Sequence, residues 1–228
     1  QVYRKAEELF ERLEGLLSDL RPWAALAAVA DLDEHVERHV TTLAAWEANF
    51  TSTRQRRREV EKLPDFYKVD CFSVSAAPLK GSVSDLAQRL SDALVLSLRK
   101  SLQEQLRSLE EFLDEADAKL NDRPSTVEQI GAAKAAWKEL AGRQRSMAEV
   151  YRECELKKRL LLKEAGARVD LDDVRRRLGA LPNRWENFEI ALEAFDKLLE
   201  EQREVIKTDM ERSVVQCNQD LSAFAERW

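Results

Sequence analysis

The stretch that decides the fold is residues 171–206, which read LDDVRRRLGALPNRWENFEIALEAFDKLLEEQREVI. Apolar side chains recur along it at alternating steps of three and four residues, and ten of eleven positions in the row are apolar. This spacing places one apolar stripe along one face of a helix. We call the row the C-terminal seam; its members are Leu171, Val174, Leu178, Leu181, Trp185, Phe188, Leu192, Phe195, Leu199, Gln202 and Ile206.

The C-terminal seam predicts two helices rather than one, followed by a continuation to the end of the sequence. Gly179 and Pro182 favour a turn over residues 179–183, between a short helix and a long one. After Ile206 the row skips one residue and then continues to Trp228, where no Gly or Asn stop signal follows. We therefore expect the chain to be a fragment of a longer polypeptide.

Similar stripes upstream predict four more helical segments. The first is expected to be interrupted at Pro22, the second to run over about residues 31–62, and the third, with leucines at steps of four, over about 84–120. The fourth should start at a capping box over residues 125–128 and end near Gly166. Residues 63–84, with Pro64, Pro78 and Gly81, predict an extended connector.

These segments predict an all-α fold: an elongated bundle of long antiparallel helices with one extended loop near residues 63–84. The expected organisation is N-terminal tail helices over 1–62, the extended connector over 63–84, and a helical bundle over 85–228. The structural seam of this bundle is expected to use aromatic anchors, namely Trp137, Trp185, Phe188, Phe195, Phe224 and Trp228. An alternative for the tryptophans is a hot spot at an interface.

Composition excludes several classes of function. The 228 residues include 37 Lys and Arg against 43 Asp and Glu, a net charge of -6, which argues against a dedicated nucleic-acid binder. The apolar run over residues 23–30 is far shorter than the roughly 20 residues that span a bilayer, so we expect no membrane insertion. The three cysteines, widely spaced, indicate no disulfide framework and favour a reducing compartment.

No catalytic, cofactor-binding or metal-binding residue is predicted. His35 and His39 lie one helical turn apart, but no third ligand accompanies them and Val36 replaces the Glu of the zincin pattern. Cys71 has no histidine partner in a recognisable motif. The stretch 79–82 lacks the leading Gly and the Gly-Lys-Ser order of a phosphate loop.

One basic cluster is a candidate partner contact. Arg54, Arg56, Arg57 and Arg58 could meet phosphate, an acidic partner or a transport receptor. The cluster lies in a highly charged helix beside Glu59 and Glu61, so a solvated helix face is the alternative.

Two stretches resemble a known family. Residues 69–138, which contain the loop VDCFSVSAAPLKG, the Leu-rich helix and the motif RPSTVEQIG, resemble the tail of dynein heavy chains just before the linker of the motor. Residues 184–228 are similar to the long helix of the same region. Within the family, these stretches resemble the second cytoplasmic dynein, the retrograde motor of intraflagellar transport.

The resemblance implies a role without catalysis for this segment. The parent chain would be an ATP-driven microtubule motor whose ATP sites lie elsewhere. The tail would join the motor to dynein intermediate and light intermediate chains, to a second heavy chain and to intraflagellar transport train proteins. The implied location is the cytoplasm, the axoneme of a cilium or flagellum, and the cytoskeleton.

A cytoskeletal scaffold is the alternative function. A spectrin-like or tether-type protein made of helical repeats would also carry apolar stripes and tryptophans. Such a protein predicts a regular repeat near 100 residues, and the loop over residues 63–84 has no second copy in the sequence.

Overall fold

The computed structural model describes residues 2–27, 32–165 and 172–227. These residues form six helices and one small hairpin: α1 (Val2–Ala27), α2 (Leu32–His39), α3 (Leu43–Glu61), β1 (Phe66–Val69), β2 (Phe72–Ser75), α4 (Ala77–Leu120), α5 (Val127–Ala165) and α6 (Asp172–Arg227). The helices pack against one another, which confirms the predicted all-α class.

The chain divides into two compact units. The first contains residues 1–102 and 156–169, and the second contains residues 103–155 and 170–228. Helices α4 and α5 therefore contribute residues to both units.

The leucine stripe of α4 forms the core of each unit, as its spacing predicts. Leu94, Leu98 and Leu102 are fully buried in the first unit, and Leu106 and Leu109 are fully buried in the second. Fully burying one such side chain stabilises the fold by roughly 1.5 to 3 kcal/mol. The stripe therefore dominates the packing energy of α4.

The connector over residues 63–84 is not one extended loop. Residues 66–75 form an antiparallel hairpin in which Val69 pairs with Phe72, and Asp70 adopts φ 55° in the turn. Helix α4 begins at Ala77, seven residues before the expected start at Ser84. Pro78 lies in the first helical turn, where its missing N–H costs no helical hydrogen bond, so the prolines did not mark a long loop.

Two predicted helix breaks are absent, and one unpredicted break is present. Helix α1 continues through Pro22, and α6 continues through Gly179 and Pro182. The expected helix over 31–62 instead ends at His39 and restarts at Leu43, where the Thr42 hydroxyl accepts a hydrogen bond from the backbone N–H of Ala45.

Packing explains why α6 tolerates Pro182. A proline inside a helix costs about 3 kcal/mol. Leu178 and Leu181, just before it, are both 1% exposed, and Phe188, after it, is fully buried. Burial of these three side chains exceeds the cost of the proline, so the helix is not broken.

The capping box of α5 lies one residue later than predicted. The backbone N–H of Gln129 donates to Thr126 Oγ1, and the Thr126 N–H donates to Gln129 Oε1. Thr126 and Gln129 thus replace the expected Ser125 and Glu128, because the sequence contains two overlapping matches to the same motif. The expected end of this helix at Gly166 and the seam position Leu171 lie outside the described residues.

Candidate functional site

Four aromatic side chains meet where α4, α5 and α6 pack together in the second unit. The Phe112 and Phe188 rings contact edge to face with centroids 5.2 Å apart, and Tyr151 stacks on Trp185 at 6.1 Å. The guanidinium of Arg143 lies 5.0 Å from the centroid of Phe112. Aromatic pairs of this kind add about 0.5 to 1.5 kcal/mol beyond the area they bury. The cluster therefore fixes three helices relative to one another.

A second contact joins α5 and α6. The Trp137 indole N–H donates to the carbonyl of Leu192 at 2.9 Å, and the Lys134 ammonium lies 4.9 Å from the centroid of the Trp137 ring. Lys134 also donates to Asp196 Oδ1 at 2.7 Å and to Glu200 Oε1 at 3.2 Å. The hydrogen bonds to these carboxylates raise the pKa of Lys134. Trp137 is thus held by polar contacts as well as by packing.

Ion pairs join α4 to α6 beside the aromatic cluster. The Arg177 guanidinium donates to both Glu110 oxygens, at 2.9 and 2.7 Å, and both side chains are about three quarters buried. Arg184 donates to Asp114 Oδ1 at 2.6 Å. The bonds to Glu110 raise the pKa of Arg177. Bidentate pairs have defined geometry, so they set the alignment of the two helices.

Three further groups in this unit have shifted pKa values. Hydrogen bonds from Lys119 and then from Arg143 lower the pKa of Glu115 below 4.5, and the same contact raises the pKa of Lys119. Burial raises the pKa of the Tyr151 phenol, with a smaller contribution from the charge of Glu155. The shifts of Glu115 and Lys119 come from their ion pairing and that of Tyr151 mainly from burial, and all three move the pKa away from neutral pH.

In the first unit, a buried face of α3 meets a buried lysine. Trp46 and Phe50 are 1% and 2% exposed, and the Lys157 ammonium lies 5.1 Å from the centroid of the Trp46 ring. Lys157 is only 2% exposed and donates to Ser101 Oγ at 3.0 Å. Sequence reasoning missed this lysine. Its position three residues after Cys154, on the buried face of α5, is the signal that could have revealed it.

All four arginines of the basic cluster are exposed, and two of them form ion pairs within the chain. Arg54 pairs with the buried carboxylate of Glu164 at 3.2 Å. Arg57 pairs with the glutamate four residues further along α3, and Arg56 lines an open groove on the outer face of that helix. Arg58 lies in the last turn of α3. A partner contact at this cluster stays a prediction, and Arg56 and Arg58 are its best-placed members.

The predicted seam residues occupy different environments. Phe188 and Phe195 are buried at 0% and 3% exposed, whereas Trp137 and Trp185 are half-buried. Phe224 is 63% exposed, and Trp228 lies outside the described residues. Sequence reasoning missed Phe112, which lies next to Leu113 of the α4 stripe and is central to the aromatic cluster.

Among the described residues we looked for a metal site and for a membrane-spanning helix, and neither is present. Across residues 2–27, 32–165 and 172–227, no group of three potential ligands from His, Cys, Asp and Glu is close enough to hold a metal ion. His39 is exposed, and the side chain of His35 lies outside the described residues. Of the helices described, none is both long and apolar enough to cross a membrane.

A known protein family matches the part of the chain that runs from α4 into α6. Residues 93–213, which run from α4 into α6, match the dynein axonemal heavy chain 2/5/8 coiled-coil family. The chain belongs to the dynein heavy chain family. The match includes the aromatic cluster and both sets of interhelical contacts.

Relatives from distant organisms match the whole chain. Cytoplasmic dynein 2 heavy chain 1 from Tripneustes gratilla is 38% identical over 227 residues, and the proteins of the same name from Homo sapiens and Chlamydomonas reinhardtii are 34% and 30% identical over 227 and 228 residues. Each match covers 100% of this chain and 5% of the relative, so the chain spans about one twentieth of the length of these curated relatives. The predicted similarity to the second cytoplasmic dynein is confirmed.

Proposed function

We propose that this chain is a non-catalytic segment of the tail of an intraflagellar transport dynein heavy chain. The observation that carries the proposal is the 30–38% identity to cytoplasmic dynein 2 heavy chains over the entire segment. The segment joins the motor to the intermediate and light intermediate chains, to the second heavy chain and to intraflagellar transport trains. It works in the cytoplasm and in the axoneme of cilia or flagella. We do not propose the spectrin-like scaffold, because the relatives are dynein heavy chains.

The packing of the second unit suits a segment that carries mechanical load. Its three helices are joined by a row of buried side chains, each worth roughly 1.5 to 3 kcal/mol. Exposed ion pairs contribute about 0.2 to 1 kcal/mol each and depend on salt. Apolar burial depends less on salt than ion pairs do, so a connector held mainly by apolar burial keeps its structure as the ionic strength changes. We expect this property of a segment that transmits force. The ATP-hydrolysing part of the motor lies outside these 228 residues in this proposal.

Gene editing in a ciliated cell tests the proposal. Phe188→Asp in the parent heavy chain places an uncompensated charge in the fully buried aromatic cluster. We expect retrograde transport in the cilium to slow or stop while the purified motor keeps its microtubule-stimulated ATP hydrolysis.

Ile190→Asp is the matched control. Ile190 lies two residues away on α6 and is 60% exposed, so its replacement should leave transport normal. Normal retrograde transport with Phe188→Asp, or ATP hydrolysis by the 228-residue chain alone, would contradict the proposal.

A further inference from the structure

Basic side chains of α3 and α5 are concentrated at one place in the first unit. Residues 54–62 contain five basic and two acidic side chains, and residues 157–164 contain four basic and one acidic. Together the two segments carry nine basic and three acidic side chains, a net charge of +6, whereas the net charge of the whole chain is -6. A local excess of one sign attracts ligands of the opposite sign.

Two contacts place these segments side by side. The Lys157 ammonium lies 5.1 Å from the centroid of the Trp46 ring, and Arg54 pairs with Glu164 at 3.2 Å. From the first contact to the second the chain advances by eight residues along α3 and by seven along α5, so the two helices run parallel here. Arg58 lies one turn beyond Arg54 on the same face of α3.

The surface of α5 next to this contact opens to solvent and ends in two cations. Within residues 156–164, going round the helix from Glu164 at 100° per residue, the next positions are Leu160, Leu156, Lys163 and Arg159. Leu160 is 5% exposed and Leu156 is 46% exposed. Lys163 and Arg159 are both exposed.

We call Arg54, Arg58, Arg159 and Lys163 the basic surface. Arg54 pairs with Glu164, whereas the other three cations form no ion pair with any residue of 2–27, 32–165 or 172–227. Within the part of the chain that the structure describes, three of the four charges therefore lack a carboxylate partner. Uncompensated cations held on two packed helices favour an anionic partner.

The spacing of the basic surface fits an acidic helix. Each of its two helices contributes two cations four residues apart, which is about 6 Å along the axis. Carboxylates four residues apart on a partner helix have the same spacing, and arginine pairs with carboxylates in a defined geometry. Leu156, 46% exposed beside these cations, adds the apolar contact by which amphipathic helices dock.

A membrane and a nucleic acid fit the basic surface less well. A helix that binds a membrane combines its cations with exposed apolar side chains. Over Leu43–Glu61, α3 has no exposed large apolar side chain. Single-stranded nucleic acids stack on exposed aromatic rings, and the aromatic residues of α3, Trp46 and Phe50, are buried.

We propose that the basic surface binds an acidic helix of another protein, in which carboxylates four residues apart flank an apolar side chain. Arg56 is not part of this surface, because it lies about 160° from Arg58 around α3. The proposal goes beyond the proposed function, since it concerns these two helices and does not require the parent chain to be a motor.

A designed peptide tests the basic surface in the 228-residue chain. The probe is a fluorescein-labelled, alanine-based helix of about 18 residues with glutamates four residues apart and leucines beside them. Fluorescence anisotropy should show saturable binding that weakens at least about threefold between about 50 and 300 mM NaCl. The double variant Arg58→Glu/Lys163→Glu should bind the probe at least about tenfold more weakly, and it should bind a matched peptide that has lysine in place of glutamate.

The double variant Arg89→Glu/Arg107→Glu is the matched control. It makes the same change of charge at two exposed positions of α4, a helix that contributes nothing to the basic surface. Its affinity for the probe should change less than about twofold. Should circular dichroism show that Arg58→Glu/Lys163→Glu is unfolded, Arg58→Gln/Lys163→Gln makes the same test.

The outcomes are distinct. Weaker binding in the basic-surface variant, with the α4 variant unaffected, supports the proposal. Absence of binding at about 1 mM probe, or equal losses in both variants, overturns it. Tighter binding to vesicles of phosphatidylcholine and phosphatidylserine, or to a single-stranded RNA, also overturns it and identifies the other ligand. A parent chain without a motor would refute the proposed function instead and would leave these affinities unchanged.

Discussion

Replacing Phe188 by alanine should destabilise the second unit more than any surface change on α6. Phe188 is fully buried and lies 5.2 Å from the ring of Phe112 and 5.5 Å from that of Trp185. Phe-to-Ala changes in protein cores lower the free energy of unfolding by about 3 to 5 kcal/mol. Because two ring contacts are also lost here, the lower end of that range is not expected. We expect a loss of about 4 kcal/mol in the free energy of unfolding.

Urea denaturation followed by circular dichroism at 222 nm measures this loss. With a slope of about 2.5 kcal/mol per molar urea, the transition midpoint of the second unit should fall by about 1.5 M. Ile190→Ala, at a position 60% exposed on the same helix, should change the free energy by less than about 0.5 kcal/mol. A loss below about 1 kcal/mol for Phe188→Ala, or equal losses for both variants, would refute the reasoning from burial.

Three smaller effects complete the predictions for the 228-residue chain. Arg177→Met removes the bidentate pair with Glu110 and should cost about 1 kcal/mol at low salt and less in 1 M NaCl, as measured by urea midpoints; no salt dependence would count against the pair. Thr126→Ala removes the N-cap of α5 and should cost about 1 kcal/mol, with faster hydrogen exchange confined to the first turn; unchanged exchange there would argue against the cap. The lowered pKa of Glu115 stabilises the folded state above pH 4.5, and this stability is lost as the pH falls through the folded-state pKa. The free energy of unfolding of the wild type should therefore exceed that of Glu115→Gln by less than about 1 kcal/mol at pH 7, and the two should be equal at strongly acidic pH. A difference in unfolding free energy that persists in acid would contradict this assignment.

Apolar periodicity predicts the helices well where burial decides the structure. The row of leucines in α4 predicts both the helix and its buried face, since Leu98 and Leu106 are fully buried. The same holds for Phe188 and Phe195 in α6. Periodicity works here because burial of these side chains is the largest favourable term in the fold.

Helix boundaries were less predictable, because local signals compete with packing. Pro182 suggested a turn, but burial on both sides of it keeps α6 continuous. The break before α3 was missed because the apolar spacing continues across it, and only the capping threonine, Thr42, marks it. In residues 63–84, the alternation over 69–74 suggested one extended segment, yet Asp70 turns the chain in its middle.

The sequence predicted that aromatic side chains anchor the helices, but it did not predict which side chains contact one another. The tryptophans at seam positions indicated aromatic anchors, but the partner of Trp185 on α5, Tyr151, depends on which helices meet and in what register. The burial of Lys157 against Trp46 depends on the same tertiary arrangement. A single sequence contains no direct information on such pairings.

Amide hydrogen exchange along α6 in the 228-residue chain tests the account most directly. The account predicts slow exchange over residues 174–199, because the C-terminal seam is buried there. It predicts faster exchange over residues 206–224, where Met210, Val214 and Phe224 are exposed. Exchange over residues 174–199 as fast as that over 206–224 in the 228-residue chain would contradict the claim that the buried seam holds this segment together.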